Sequence, residues 1–505
     1  MVATRRPALL ACAAAACLIL VVVAPGAAAD TQQFQIFPAL RNAFFSSYVA
    51  ARSSPAPKAQ AGSTAAASAG GEKGCVKVET RDLTKAEGQS TFLKFFGNEP
   101  HHVGVSGDVL AAGGLFSFKS GEIFTGGAKK AAATPDIYLF NISKANAASP
   151  KYIDSVFGKK GAVTDSFLPF GTENGQPKFL ASFMGDRKGL SPGKLAEVAY
   201  VNERDKWEVV AEHEGGVDGA ADPSFTPHGF DRNGPNGSLI VTADYVTADT
   251  VFAPSKAFKW GTTVRVWNLT TKQVIARWDL ATLPGIKETP QGLMSVRWTG
   301  GCGSDLGCKV LRTTGGCGSY LGWKNDTFWF SSGTGHLYLI DASKRAADGI
   351  ESAIKEVYTL APEPVYGSCV FSGRFANNTR LLVTSLALNE VRLVDTTDPT
   401  SIKTIQIYEL PKGASGTPQP HVVVIDANAT LAAVTTYYVE QPTGKGLWTK
   451  QASKELLLFS IAADKNSFAP IKTVNFNDAF EKATCGISAA RGRFARPHGA
   501  VFVSK

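Results

Sequence analysis

Four regularly spaced histidine positions give this 505-residue chain a pattern that could bind a metal. In units of a repeat of about 64 residues, His102 and His228 lie about two periods apart, His228 and His421 about three, and His421 and His498 about one. A proline precedes each position, directly or, at His102, with His101 between them, and an apolar run follows. Neutral imidazoles that converge on one point bind copper, iron or zinc. The spacing therefore predicts a transition-metal site.

The doublet His101–His102 leaves open which of the two imidazoles faces that site, so both are candidate ligands together with His228, His421 and His498. Ligating histidines usually donate their second N–H group to a nearby acceptor. Asp231, three residues after His228, and Glu99, just before the doublet, are the candidate acceptors. A single histidine in such a strand would more often be a structural residue, and only the shared phase favours a metal site.

Two sulfur residues share the phase, whereas two histidines do not. Met294 and Cys369 lie about three and four periods after His102, and their sulfur would favour Cu(I) if it pointed inward. The alternative is a core methionine and a disulfide cysteine. His213 and His336 are out of phase and are predicted to be structural.

The elements that must position these residues are short strands that recur with the same period. Alternating apolar runs ending in a polar turn residue occur at 136–142, 195–202, 264–269, 337–341, 391–395 and 456–460. A radial repeat buries many small sheets without long open edges. We therefore expect an all-β, seven-bladed β-propeller over residues 74–505, closed by pairing of the N-terminal segment 76–96 with the C-terminal strand. Two packed β-sandwiches are the alternative.

The N-terminal region predicts export. Two arginines, an apolar run and small residues before Asp30 are typical of a secretory signal over residues 1–29, with an N-terminal membrane anchor as the alternative. Residues 30–73 read as a linker rich in Ala, Ser and Gly. The mature protein is expected to be secreted, or periplasmic in a bacterium, with no membrane contact after cleavage.

Composition and cysteine usage agree with that compartment. The net charge of +9 is scattered, without the basic stripe that nucleic-acid binding requires, so no nucleic-acid partner is expected. Cys302, Cys308 and Cys317 lie in a Gly-rich stretch that favours a disulfide-stapled loop over zinc binding. Six Asn-x-Ser/Thr sequons predict a glycoprotein; they lie at Asn141, Asn236, Asn268, Asn325, Asn377 and Asn428. Nothing in the sequence indicates an oligomeric state.

Several segments resemble the selenium-binding protein family. They are the histidine doublet segment 98–104, the strand at 136–141, the turn at 183–189, and the longest match, 238–246 with 260–268. The resemblance covers roughly residues 75–505 and keeps the order of the segments. Segment 166–172 lacks the histidine that the family usually carries in its second blade, and the family's N-terminal cysteine motif, linked to selenium binding, is absent.

The resemblance implies a copper-dependent methanethiol oxidase with a histidine-lined site. Methanethiol, O2 and water would give formaldehyde, hydrogen sulfide and hydrogen peroxide. Two alternatives remain open: a non-catalytic secreted propeller that binds proteins or glycans, and a four-histidine non-haem iron oxygenase, for which Glu288 is the one suitably placed glutamate. No nucleophile elbow, P-loop or dinucleotide fingerprint is present.

Overall fold

A computed structural model describes three N-terminal strands and most of the chain from residue 100 to residue 504. Its larger gaps after residue 100 are 118–134, 144–149, 251–258, 286–291, 300–325, 363–367, 412–417, 437–452 and 476–493. The N-terminal strands are β1 (Ala15–Ala24), β2 (Gln32–Ala39) and β3 (Ser46–Ser53). No helix among the described residues is long and apolar enough to cross a membrane.

Six four-stranded antiparallel sheets follow, each built from four consecutive strands, and we call them blades 1 to 6. Blade 1 comprises β4 (Pro100–Ser106), β5 (Val109–Gly114), β6 (Ile137–Asn141) and β7 (Lys151–Val156). Blade 2 comprises β8 (Gly161–Glu173), β9 (Gln176–Asp186), β10 (Lys194–Val201) and β11 (Lys206–His213). Blade 3 comprises β12 (Pro227–Arg232), β13 (Leu239–Asp244), β14 (Thr263–Asn268) and β15 (Gln273–Asp279).

The second half of the chain continues this pattern. Blade 4 comprises β16 (Leu293–Trp298), β17 (Thr327–Ser332), β18 (His336–Asp341) and β19 (Ile354–Thr359), with the short helix α1 (Ile350–Ala353) before its last strand. Blade 5 comprises β20 (Ser368–Phe375), β21 (Arg380–Ser385), β22 (Glu390–Asp395) and β23 (Lys403–Glu409). Blade 6 comprises β24 (Pro420–Ile425), β25 (Leu431–Thr436), β26 (Glu455–Ile461) and β27 (Phe468–Asn475). The last strand is β28 (Phe494–Ser504), and single 3-10 turns lie at Asn202–Arg204, Leu280–Thr282 and Ala346–Asp348.

The hydrophobic core lies between neighbouring blades. One cluster joins blades 3 and 4 through Val241, Val264, Phe328 and Phe330, and comparable clusters join the other consecutive pairs of blades. Every residue of β5 and β13 is buried, since both faces of a middle strand meet another blade. β5 and the first half of β13 therefore read as continuous apolar runs in the sequence. The outer strand β23 is mostly exposed.

The first strands of the blades lie side by side around the central channel. Each blade starts at this inner position and winds outward. β28 lies against β4 and β24 and so joins blade 6 to blade 1. The inner strands therefore bring together side chains that are far apart in the sequence.

The predicted seven-bladed propeller is wrong, because the part of the chain that the structure describes forms a six-bladed β-propeller. β28 belongs to a sheet of another kind, with the order β2-β3-β1-β28 and with β1 parallel to β28. β1 lies within the predicted signal segment, and the expected partner segment 76–96 lies outside the described residues. A blade count from chain length and a period of about 64 residues is unreliable here, because successive inner strands begin 52 to 75 residues apart. Length alone therefore does not fix the number of blades.

Candidate metal centre

A β-bulge interrupts each inner strand at the positions that share the predicted phase. The pairing of β4 with β5 skips from Pro100 to Val103, so His101 and His102 fall in the bulge. The same irregularity includes His228 in β12 and His421 in β24. Bulges near functional sites re-aim side chains. Here they lie at the positions from which four histidines reach the channel.

Proline explains part of this local geometry. Each histidine pair or single histidine follows a proline at or near the start of its strand, at Pro100, Pro227, Pro420 and Pro497. Proline cannot donate a ladder hydrogen bond, so the first residue of a strand or a bulge is where a sheet accommodates it. The Pro-His sequence therefore marks an irregular entrance to an inner strand.

Asp165 in β8 lies at the centre of the histidine cluster, and the sequence analysis missed it. Its Oδ1 atom is 3.1 Å from Nε2 of His101, 3.5 Å from Nε2 of His102 and 3.3 Å from Nε2 of His228. Its side chain is fully buried. Like the histidines, Asp165 falls in a bulge, because the pairing of β8 with β9 skips from Thr164 to Phe167.

His421 and His498 complete the cluster on the side of blade 6. Their Nε2 atoms are 3.1 Å apart. The His498 ring stacks on the His101 ring with centroids 3.6 Å apart. His102 contacts the His498 ring edge-on at 4.6 Å. All five predicted histidines and Asp165 are thus brought together, although their role as metal ligands remains a prediction.

Backbone acceptors fix the orientation of two of the imidazoles. Nδ1 of His228 lies 3.1 Å from the Met294 carbonyl oxygen, and Nδ1 of His498 lies 3.0 Å from the His101 carbonyl oxygen. A carbonyl can only accept, so Nδ1 must carry the proton in both rings. In the neutral ring, Nε2 then presents a lone pair to the centre of the cluster. The lone pair of His228 consequently faces the Asp165 carboxylate, and two acceptors that face each other need a cation or a proton between them.

Burial keeps these imidazoles neutral. It lowers the pKa of His102 to about 3, even though the negative charge of Asp165 acts in the opposite direction. Burial also lowers the pKa of His228, and it lowers the pKa values of His421 and His498 well below the ordinary value. A metal ligand must be deprotonated. These four rings therefore have the protonation state that metal binding requires at neutral pH.

Asp165 supplies the negative charge of the centre. Burial alone would raise the pKa of Asp165, but the surrounding imidazoles of His228, His102 and His101 outweigh it and lower the pKa below its ordinary value. The Ser166 hydroxyl donates to Oδ2 at 2.6 Å, which leaves Oδ1 directed at the histidines. One buried carboxylate among several imidazoles is an arrangement that favours a cation.

The three distances from Asp165 Oδ1 match those expected around a tetrahedral ion. For metal–ligand bonds of about 2.0–2.1 Å, the ligand atoms of such an ion lie about 3.3–3.4 Å apart. The separations from Asp165 Oδ1 to the three Nε2 atoms are 3.1, 3.5 and 3.3 Å. His102 Nε2 and Asp165 Oδ1 are also buried without a hydrogen bond of good geometry among the described residues. The donor set therefore suits a transition metal such as copper, iron or zinc.

A recurring hydroxyl contact holds the histidine backbone from the preceding blade. Ser182 in β9 donates to the His228 carbonyl at 3.1 Å. Thr384 in β21 donates to the His421 carbonyl at 2.6 Å, and Thr435 in β25 donates to the His498 carbonyl at 2.7 Å. Each donor lies on the second strand of its blade. The contact fixes one inner strand against the next.

Replacing Thr384 and Thr435 together by valine should weaken metal binding without removing any donor atom. Each change removes a hydroxyl that donates to a buried histidine carbonyl, which costs about 1–3 kcal/mol in the free energy of unfolding. Loss of such supporting contacts typically lowers metal affinity by about 10- to 100-fold. Competition with a chelator measures the affinity, and Thr404→Val on the exposed strand β23 is the control. Unchanged affinity in the double variant would contradict this role.

The predicted acceptors and cysteines are not among the described residues of the histidine cluster. Asp231 accepts a hydrogen bond from the Arg232 backbone N–H at 2.9 Å. Burial lowers the pKa of Arg297, and the negative charge of Asp231 acts in the opposite direction. The described acceptor of His228 Nδ1–H is the Met294 carbonyl instead. Glu99, Glu288, Cys302, Cys308 and Cys317 lie outside the described residues.

The out-of-phase histidines pair with glutamates elsewhere. His213 Nε2 lies 2.8 Å from Glu197, and His336 Nδ1 lies 3.1 Å from Glu356. Cys369 lies on β20, where the structure describes the backbone only. Of the sequons, Asn141, Asn268 and Asn428 are described, at strand ends or in a turn, and glycosylation remains a prediction.

The channel beside the centre has an apolar side. Met294, Leu386 and Val422 form a buried cluster, and Tyr245 packs against it. The Tyr245 ring also contacts the His228 ring, with centroids 4.7 Å apart. Met294 thus takes part in the site through its carbonyl oxygen and through apolar packing. Blades 3 to 6 contribute this apolar side, whereas Asp165 comes from blade 2.

Comparison with known proteins yields structural likenesses only. No family model matches the chain, and no curated protein matches it either. A hypothetical selenium-binding protein from Sulfolobus tokodaii is similar at 12% identity and a TM-score of 0.48, over 72% of this chain and 75% of that one. The periplasmic gluconolactonase of Pseudomonas aeruginosa is similar at 11% identity and a TM-score of 0.44, over 75% and 85% of the two chains. A putative 6-phosphogluconolactonase from Bacteroides fragilis is similar at 13% identity and a TM-score of 0.41, over 75% of this chain and 84% of that one. None of these likenesses indicates what the chain does.

Proposed function

We propose that this protein is a secreted, metal-dependent oxidase of a small thiol, with copper as the metal. The observation that carries the proposal is the convergence of His101, His102 and His228 on Asp165, with His421 and His498 grouped beside His102. The resemblance of segments 98–104 and 238–268 to selenium-binding proteins supports the thiol as substrate. Copper is the metal which that resemblance implies, and imidazole ligands suit it.

His101, His102, His228 and Asp165 form one group of donors that would hold the metal, and His102, His421 and His498 form a second group. When bound, copper supplies a position for the thiolate and one-electron chemistry towards O2. By resemblance, methanethiol, O2 and water would give formaldehyde, hydrogen sulfide and hydrogen peroxide, a reaction that balances in atoms and electrons.

The residues of the chain contribute burial, charge and access to this chemistry. The side chains of His101 and His228 are each 6% exposed, whereas that of His102 is 17% exposed. The substrate would therefore reach the donors from the His102 side. The apolar cluster around Met294 and Leu386 would accommodate the alkyl group and exclude water from the reacting sulfur. Asp165 would offset the positive charge of the metal ion.

The test is elemental analysis of protein purified from the culture medium of cells supplied with copper, iron and zinc. We expect at least one copper per chain, and oxygen uptake with hydrogen sulfide release when methanethiol is added. Protein stripped by a chelator should lose this activity and regain it with copper. The intact mass of the same sample reports whether residues 1–29 have been removed.

Each other outcome rejects a different part of the proposal. Iron in place of copper would favour the non-haem iron oxygenase, since Asp165 provides a carboxylate of the kind that non-haem iron sites use beside histidine. A protein without metal above trace would favour a binding propeller. Bound copper without thiol-dependent oxygen uptake would reject the substrate.

A further inference from the structure

The donors of the channel fall into two groups that share a single residue. The first group, set A, consists of His101, His102, Asp165 and His228. The second group, set B, consists of His102, His421 and His498. Within each set the donor atoms lie within 4.8 Å of one another, which is close enough for one ion.

We propose that the channel offers two metal positions, one in set A and one in set B, and that Asp165 makes them chemically unequal. A lone pair of His102 can bind one ion at a time. Without His102, set A still provides His101, Asp165 and His228, and set B still provides His421 and His498. Either set can therefore hold an ion while His102 completes the other.

The two positions differ in charge and in donor type. Set A contains the only carboxylate of the centre among the described residues, with its Oδ1 atom 3.1–3.5 Å from three imidazole nitrogens. Mixed nitrogen and carboxylate ligands suit divalent ions such as Zn²⁺ and Fe²⁺. Set B has only neutral imidazole nitrogens, and its two exclusive members face each other at 3.1 Å.

Low charge makes a monovalent ion the better occupant of set B. Two neutral imidazoles, with or without His102, give Cu(I) the nitrogen donors and low coordination number that it tolerates better than Zn²⁺ does. A divalent ion in set A and a monovalent ion in set B would also repel each other less than two divalent ions. The negative charge of the Asp165 carboxylate reduces this repulsion further, because it offsets part of the charge of the divalent ion in set A.

The test uses purified, chelator-stripped full-length protein and two probes, Zn²⁺ alone and Cu(I) alone, followed by both together without oxygen. We expect one tightly bound zinc, one tightly bound copper, and two metals per chain when both are supplied. Elemental analysis after gel filtration gives the stoichiometry, and competition with chelators gives the affinities. Saturation at one metal in total, with zinc and Cu(I) displacing each other, would overturn the proposal.

Single variants assign the positions. Asp165→Asn should weaken zinc binding by more than about 100-fold and leave Cu(I) affinity essentially unchanged. His421→Ala should have the opposite selectivity, and His336→Ala, whose imidazole pairs with Glu356 outside the channel, should change neither. Loss of both metals in both variants would also reject two positions, whereas the wild-type stoichiometry decides the question if a variant does not fold.

This inference depends on metal binding at the proposed centre but not on thiol oxidation. Two metals per chain without any thiol-dependent oxygen uptake would support the two positions and reject the proposed substrate. Thiol oxidation by a protein that binds a single copper and no second metal would support the proposed substrate and reject the two metal positions.

Discussion

Replacing His228 and His421 together by alanine should reduce bound metal to below about a tenth of the wild-type content after dialysis against a chelator. His228 lies 3.3 Å from Asp165 Oδ1, and His421 lies 3.1 Å from His498. The double change therefore removes a donor from each side of the centre, and His102 alone cannot replace both. Elemental analysis of the dialysed protein measures the result, and thiol-dependent oxygen uptake should fall with it.

His213→Ala combined with His336→Ala is the matched control. It also removes two imidazoles, but each of these pairs with a glutamate outside the channel, at 2.8 Å and 3.1 Å. Its metal content should equal that of the wild type. Full occupancy in the His228/His421 variant would reject the assignment of the metal centre.

Replacing Arg265 by methionine should lower the free energy of unfolding by about 3–5 kcal/mol. The Arg265 side chain is fully buried and donates to the carboxylates of Asp244 and Asp222 and, at 2.7 Å, to the Gly215 carbonyl oxygen. Methionine keeps the apolar stem but leaves the Asp244 charge buried without its cation. Denaturant unfolding followed by fluorescence measures the change.

The effect of Arg265 should extend to the metal centre. Arg265 anchors the connection between blades 2 and 3, and Asp244 also accepts from the Thr226 backbone N–H at 3.1 Å, two residues before His228. We therefore expect weaker metal binding in the methionine variant as well.

Burial alone would raise the pKa of Asp222, but hydrogen bonds from Ser224 and the charge of Arg265 lower it below its ordinary value.

Arg277→Met provides the comparison. Arg277 contacts the same Asp222 at 2.8 Å, but its side chain is 35% exposed, so we expect a loss of less than about 1 kcal/mol. Arg265→Lys keeps the positive charge but not the forked geometry of the guanidinium group. Its loss in the free energy of unfolding should lie between those of Arg265→Met and Arg277→Met. An Arg265→Met protein as stable as Arg277→Met would show that the buried network is not needed for stability.

The position of the metal centre could be predicted from sequence because two signals coincided. The inner strands repeat with the blades, and Pro-His dipeptides mark the bulged entrances at Pro227, Pro420 and Pro497. Asp165 lies about one period from both His102 and His228, so the same spacing contained it. It was missed because no proline precedes it and because only imidazole and sulfur donors were considered at that phase.

The pairing of donors and the number of blades could not be predicted in the same way. Backbone acceptors such as the Met294 carbonyl carry no side-chain signature, so the partner of His228 Nδ1 is visible only in three dimensions. The period follows from strands that the propeller must repeat, whereas the connections between them vary freely in length. The recurring strands therefore predict the propeller architecture, whereas the length of the chain does not give the number of blades.

The contact between His498 and His101 has a consequence for biosynthesis. His498 lies on β28, the last strand, and His101 lies on β4, the inner strand of blade 1. Nδ1 of His498 donates to the His101 carbonyl at 3.0 Å. A nascent chain that has not yet extended past residue 498 has no complete pair of His421 and His498. Metal uptake at set B must therefore follow the synthesis of His498, whereas every donor of set A lies earlier in the chain. A metal that binds only the native state stabilises that state by mass action. Occupancy of set B would thus distinguish chains that contain β28 from chains that end before it.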